Sequence, residues 1–309
     1  YEASNSSYAD LFQNANSQMT NVALSAANDK ANMRLSYTRQ DNQMISFGSK
    51  NERNVFNLNT SFNLAEWSKT DITVQYINQY TKNRPYKVDR MINNFGGMMD
   101  RFEKAEWYFD HYQTSLGYKF RTGTQASATP DENITYAPFR SAIADYVWRV
   151  NKHQSFENSN RILASITETI QFTDNLSLRG RLANDFTSEK IRNETATAVP
   201  LVIGNSGGFS VAQHNLTNLY GDILLTYDGE ITEDLSISAM AGYSARVEEE
   251  VYQSSGTNGG LATENYFDLS SSVNQANTSL NRVNRVNDAF IGTVSFNFRD
   301  YLHVEGTAR

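Results

Sequence analysis

The feature that most constrains this chain is a repeated alternation of apolar and polar residues, broken by connections that are by turns short and long. Phe56, Leu58, Thr60, Phe62 and Leu64 share one face of a run whose opposite face is Asn57, Asn59, Ser61 and Asn63. Successive side chains of an extended strand point to opposite sides, so a period of two gives this run an apolar face and an amide-rich face. After a break at 65–69, Ile72, Val74, Tyr76 and Tyr80 oppose Thr73, Gln75 and Gln79, which makes the pair a hairpin. The pattern returns in Ile162, Ala164, Ile166, Ile170 and Phe172, and after 173–175 in Leu176, Leu178, Gly180, Leu182 and Phe186. Opposite this last set lie Ser177, Arg179, Arg181 and Asp185, so the charges fall on a single face. Leu219, Gly221, Ile223, Leu225 and Tyr227 precede a run from Leu235 to Val247 that is longer than most soluble strands. A further hairpin pairs Phe290, Val294, Phe296 and Phe298 with the segment from Tyr301, and a weaker first one pairs 19–26 with Met33, Leu35 and Tyr37.

The connections decide the architecture. Short turns are expected at 27–30, 65–69, 173–175, 228–234 and 299–300, and long loops at about 42–52, 84–158, 188–214 and 250–283. In an up-and-down meander this alternation puts every short turn at one end and every long loop at the other. Outer-membrane barrels have that asymmetry, with short periplasmic turns and long extracellular loops. A soluble sandwich or propeller alternates apolar and polar residues too, but it gives no reason for strict short and long alternation. The fold class expected is therefore all-β, a partial transmembrane antiparallel up-and-down β-barrel of about ten strands.

Composition agrees. No apolar run approaches the roughly 20 residues a membrane helix needs, and a mean hydropathy of -0.56 is compatible with strands that show only one face to lipid. The polar faces carry Asn, Ser, Thr, Gln and Arg, as a crowded hydrated lumen would. Tyr37, Tyr76, Tyr80, Phe172, Phe186, Tyr220, Tyr227, Tyr243, Phe298 and Tyr301 fall near the expected strand ends, where an aromatic girdle would meet headgroups. A net charge of -7 argues against nucleic acid as a partner. The absence of cysteine excludes disulfides and thiolate metal sites. A chain that begins at Tyr1 without a signal peptide and stops at Arg309 inside a strand is expected to be a piece of a longer protein.

Several segments, in order, resemble SusC/RagA-type TonB-linked outer-membrane proteins. They are Asn21-Val22-Ala23-Leu24-Ser25 with Asn28-Asp29-Lys30, then Phe56-Asn57-Leu58-Asn59, then Tyr76-Ile77-Asn78-Gln79. Phe172-Thr173-Asp174-Asn175-Leu176-Ser177-Leu178-Arg179-Gly180-Arg181, Leu219-Tyr220-Gly221-Asp222, 235–243 and Arg299-Asp300-Tyr301-Leu302 follow. The resemblance covers 14–309 and leaves 1–13 unassigned. It implies a 22-stranded barrel with an amino-terminal plug, neither plug nor TonB-contacting segment being in this chain. It implies energised uptake of glycans or peptides across the outer membrane, a SusD-like lipoprotein over the extracellular mouth, coupling to the TonB complex through the plug, and a dimer of transporter and lipoprotein pairs. A passive porin-like barrel and a soluble all-β binding domain are the alternatives.

Candidate sites are few. The loop at 84–158 holds Trp107, Tyr108, Tyr112, Tyr136, Phe139, Tyr146 and Trp148, a density of rings that suits contact with substrate or a partner protein. The competing reading is that the loop folds on itself, with Leu116, Tyr118 and Phe120 as a short extra strand. Arg179, Arg181 and Asp185 are expected to face the lumen or plug, where charged hydrogen bonds order a wall. Gly204-Asn205-Ser206-Gly207-Gly208 resembles a serine-protease loop but has Asn where that motif carries Asp, and no histidine or acid is placed beside it. His111, His153, His214 and His303 are isolated from one another and lack metal-site spacing. No enzyme activity and no cofactor are expected.

Overall fold

The structure, a computed structural model, describes residues 8–85, 103–121, 123, 125–134, 141–299 and 301–309. Ten strands form one antiparallel sheet in sequence order, β1 (Asn16–Ala27), β2 (Ala31–Gln43), β3 (Lys50–Ala65), β4 (Ser68–Lys82), β5 (Gln154–Thr173), β6 (Leu176–Thr195), β7 (Gly208–Thr232), β8 (Leu235–Leu261), β9 (Ser272–Phe298) and β10 (Leu302–Ala308). Each strand pairs only with its chain neighbours, so β1 and β10 are the edges of an open sheet. This is the expected meander.

Three of the short turns are tighter than expected. Those at 66–67, 174–175 and 233–234 are each flanked by a one-residue register shift, at Asn63/Ala65, Gln171/Thr173 and Glu230/Thr232. Such a bulge adds local twist next to a hairpin. The segment 228–234, expected to be a turn, is mostly strand, because β7 continues to Thr232. The β1 to β2 turn is held by Asn28, whose Oδ1 accepts from the amides of Lys30 and Ala31.

At the other end the strands run far past their apolar stretches. β7 has 25 residues, and β8 and β9 have 27 each. The loops expected at 188–214 and 250–283 therefore contract to 196–207 and 262–271, and the one at 42–52 contracts to 44–49. Cross-strand hydrogen bonds sustain these polar extensions. Gln213, for instance, lies opposite both Lys190 and Gln253. Only the connection between β4 and β5 remains long, and it contains the helices α1 (Ala105–Asp110) and α2 (Ser141–Lys152).

Those helices hold most of the fully buried apolar residues. Leu11, Ala105, Tyr108, Ile143, Ala144, Tyr146 and Val147 form a single cluster. Leu11 belongs to the 8–11 turn that leads into β1, a segment the sequence leaves unassigned. A sheet with one apolar face has no such core of its own, so the interior of this molecule sits in its loops.

Candidate functional site

The two faces of the sheet differ in chemistry. Across nine strands the successive Cα partners Leu24, Leu35, Leu58, Val74, Ala164, Asn184, Leu219, Val247 and Val286 lie in one row, apolar but for Asn184. A row nearer the turns reads Ile170, Leu178, Leu225, Ala241 and Gly292. Among the described residues nothing covers these side chains: Leu24, Ile166, Leu182, Ile223 and Val286 are exposed, and Phe290 is 79% so. A soluble monomer rarely leaves so continuous an apolar surface open to water. On β6 the apolar stretch from Leu176 to Phe186 covers roughly ten positions. At a rise of ~3.4 Å and a tilt of ~45° that is roughly 24 Å, close to the apolar band of a membrane barrel.

Aromatic rings mark both limits of this band. Trp67, Phe172, Tyr227 and Tyr301 are exposed near the turns. Toward the loops, Tyr37, Phe56 and Tyr76 are in register across β2, β3 and β4, their ring centroids 4.6 and 6.3 Å apart. The second set sits mid-strand rather than at strand ends, because the strands continue beyond it. Tyr220 does not belong to the girdle. It alternates with Leu219 and Gly221 and so lies on the polar face, where its ring is 5.0 Å from the Arg181 guanidinium. One acid interrupts the apolar face: Glu168, between Ile166 and Ile170, accepts from the hydroxyls of Ser68 at 2.5 Å and Thr70.

The polar face carries an ion-pair network. Arg181 donates to Asp222 at 2.8 Å through Nε, and Arg179 reaches the other Asp222 oxygen at 3.4 Å. The Asp222 side chain is 1% exposed. Arg161 binds Asp185 with two parallel bonds of 2.8 and 2.6 Å, the bidentate geometry that fixes both side chains. The structure places Arg179, Arg181 and Asp185 on one face and joins them to Arg161, Tyr220 and Asp222. Periodicity could have put these three on the same face; it could not have told the register that sets Asp222 beside Arg181 and Asp185 beside Arg161. A concavity of about 660 Å³ lies beside the network, lined in part by Asp185, Asn218, Tyr220 and Arg246.

The loops form a linked cap. A tight hairpin at 113–119 joins α2 through the Lys119 and Asp145 ion pair. It reaches 196–207 through the Lys119 amide and the Ala198 carbonyl, 3.1 Å, and 262–271 through Tyr118 Oη and Glu264, 2.6 Å. Thr197 and Asn265 bond reciprocally, amide to side-chain oxygen, at 2.9 and 3.1 Å. Ser206 Oγ accepts from the amides of Ala198 and Val199, which gives the glycine-rich loop a structural use. Gly207 has φ of +77°, and a Cβ there would come within 2.8 Å of Leu261. Near α2, burial pushes the His153 imidazole down to about 4, with Arg149 and Lys119 adding repulsion. Glu132 is held below the usual carboxylate range by the hydroxyl and amide of Ser115.

This cap corrects part of the expected contact site. Tyr108 is 1% exposed, Tyr146 5% and Trp148 3%, so their rings are packed within the cap and present no surface to a ligand. Tyr108 donates to Glu103 at 2.9 Å, and Trp148 lies 6.5 Å from Tyr112. Trp107 and Tyr112 are half-buried and keep an accessible part. Tyr136 and Phe139 lie outside the described residues. His214 contacts Glu250 at 2.9 Å, and among the described residues no cluster could hold a metal ion.

Neither a protein-family model nor a curated protein sequence matches the chain. Solved structures do. It is similar to the RagAB peptide transporter, with 12% identity, a TM-score of 0.70, and 94% of this chain covered against 31% of that one. Against the RagAB peptide importer in its open-open state the values are 13%, 0.71, 96% and 31%, and in its closed-closed state 12%, 0.72, 98% and 32%. The chain spans about a third of the length of the chains it matches. At this identity the likeness is one of fold: the described residues form a ten-stranded antiparallel meander that resembles part of the barrel of the RagAB transporter.

Proposed function

We propose that this chain is part of the wall and extracellular cap of an outer-membrane active importer of oligomeric nutrients. The observation that carries the proposal is the pairing of faces: an uncovered apolar band about as tall as a membrane's hydrocarbon layer, backed by a polar face with an ion-pair network centred on the buried Asp222. A passive porin shares those faces, but the extended strands and the interlocked cap suit a mouth that closes over its cargo. The fold likeness to a peptide importer makes peptides the first substrates to test, with glycans second.

The remaining assignments follow from this reading. The turn end is periplasmic and the cap extracellular. The Arg179, Arg181 and Asp222 group orders the face that meets the plug, and energy enters through TonB. A SusD-like lipoprotein docks on the cap, with Trp107 and Tyr112 as its ring contacts or those of the substrate. Transporter and lipoprotein pairs assemble as a dimer. In the intact protein, Trp107→Ala is expected to weaken lipoprotein association or substrate affinity about tenfold, as loss of an aromatic anchor does. Unchanged values in a correctly assembled barrel would remove Trp107 from the contact. Fractionation with the outer membrane, together with TonB-dependent growth on peptides, tests the function as a whole; uptake that persists without TonB would favour the porin.

A further inference from the structure

Beyond the apolar band toward the cap, the same outer face changes character on β4–β8. Tyr80, Asn158, Lys190, Gln213 and Gln253 are in direct register across five strands. One row further out, Lys82, Phe156 and Arg192 are in register. The two rows enclose a concavity of about 590 Å³ whose lining includes Tyr80, Phe156, Lys190, Arg192, Gln213 and Gln253. Two cations share one ring: Lys82 Nζ and the Arg192 guanidinium lie 5.8 and 5.9 Å from the Phe156 centroid, and Arg192 is also 5.5 Å from Phe209. Arg192 has one acid partner, Glu194. Lys190 is exposed and has no ion pair among the described residues. The pocket therefore holds more positive than negative charge, fixed guanidinium and amide donors, and aromatic faces.

We propose that this pocket binds the phosphorylated saccharide headgroup of a glycolipid in the outer leaflet. The proposal rests on the reading that the apolar face meets lipid. Rings and amides suit sugar faces and hydroxyls, and a guanidinium beside an ammonium suits phosphate. Height selects the occupant. Lys190 and Arg192 are four and six positions beyond Phe186, roughly 10 and 14 Å above the band for a tilted strand. The headgroup layer of a simple phospholipid is only about 5–8 Å deep on each side. A phosphorylated sugar headgroup reaches the pocket; a phosphodiester at the glycerol level does not.

Native mass spectrometry of the full-length transporter in detergent tests this with four probes: a bis-phosphorylated disaccharide glycolipid, its dephosphorylated form, phosphatidylglycerol and inorganic phosphate. The bis-phosphorylated glycolipid is expected to bind at least about tenfold better than the dephosphorylated form or phosphatidylglycerol, and to lose that margin in the K190Q/R192Q protein. Equal retention of phosphatidylglycerol, displacement by millimolar inorganic phosphate, or binding unaffected by the double substitution overturns the proposal. The comparison of phosphorylated with dephosphorylated glycolipid on the unsubstituted protein decides the matter even if the variant fails to assemble. Failure of the transporter to fractionate with outer membrane would instead overturn the lipid-facing reading itself.

Discussion

Glu168 shows what a single residue costs on such a face. A carboxylate between two isoleucines on the exposed apolar side is tolerated because the Ser68 and Thr70 hydroxyls both donate to it. Removing those donors while leaving the acid strands a polar group, at about 1–3 kcal/mol, whereas replacing all partners by apolar groups is nearly neutral. Ser68→Ala with Thr70→Val is therefore expected to lower the denaturant midpoint of the folded protein, and adding Glu168→Leu to recover most of the loss; no recovery would mean that the hydroxyls act some other way. At this scale the sequence shows faces and hides partners. Alternation placed Arg179, Arg181 and Asp185 together, yet Asp222 and Arg161, more than twenty positions from their partners, become visible only when the register is known. It also misplaced Tyr220, because a tyrosine near an apolar run looks like a girdle residue until parity is followed through Leu219 and Gly221.

Among the elements, hairpins were legible and loops were not. Period two and turn residues fix β1–β10 to within a few positions on the turn side, where three of the five hairpins close in bulged two-residue turns. On the loop side the apolar signal stops at the band while the strand continues on amide and hydroxyl ladders, so 188–195, 208–214, 250–261 and 272–283 read as loop but pair as strand. The cap was unreadable for a different reason: its core joins Leu11, Tyr108 and Val147 from segments distant in sequence. Tyr108→Ala is expected to cost about 3–5 kcal/mol of cap stability, seen as faster amide exchange in α1 and α2 while β6 and β7 stay protected; uniform loss of protection would show that cap and sheet unfold together. The cap is also expected to be acid-sensitive. His153 titrates at about 4 when folded against an ordinary value of 6.5. The unfolded loop thus takes up the proton first, and the stability present above pH ~6.5 is lost as the pH falls toward 4. The protection factors of α2 amides, corrected for the intrinsic exchange rate at each pH, should be lower at pH 5 than at 7.5 in the native protein and equal in His153→Gln.

For the whole molecule, the proposed function requires that the apolar face be the lipid face. Length, charge and the absence of a long apolar helix left several architectures open; the alternation of short and long connections selected the barrel, and the open meander with its uncovered band agrees with it. The most direct test is a paired arginine substitution in the intact transporter: Ala241→Arg, in the middle of the band on β8, against Ser238→Arg on the opposite face of the same strand. Arginine facing hydrocarbon near the midplane costs roughly 2–4 kcal/mol, so Ala241→Arg should lose folded barrel in the outer membrane and lower the unfolding midpoint in lipid while Ser238→Arg leaves both near the native values. Equal tolerance at the two positions, or greater damage at Ser238, would contradict the assignment of faces and the transporter wall built on it.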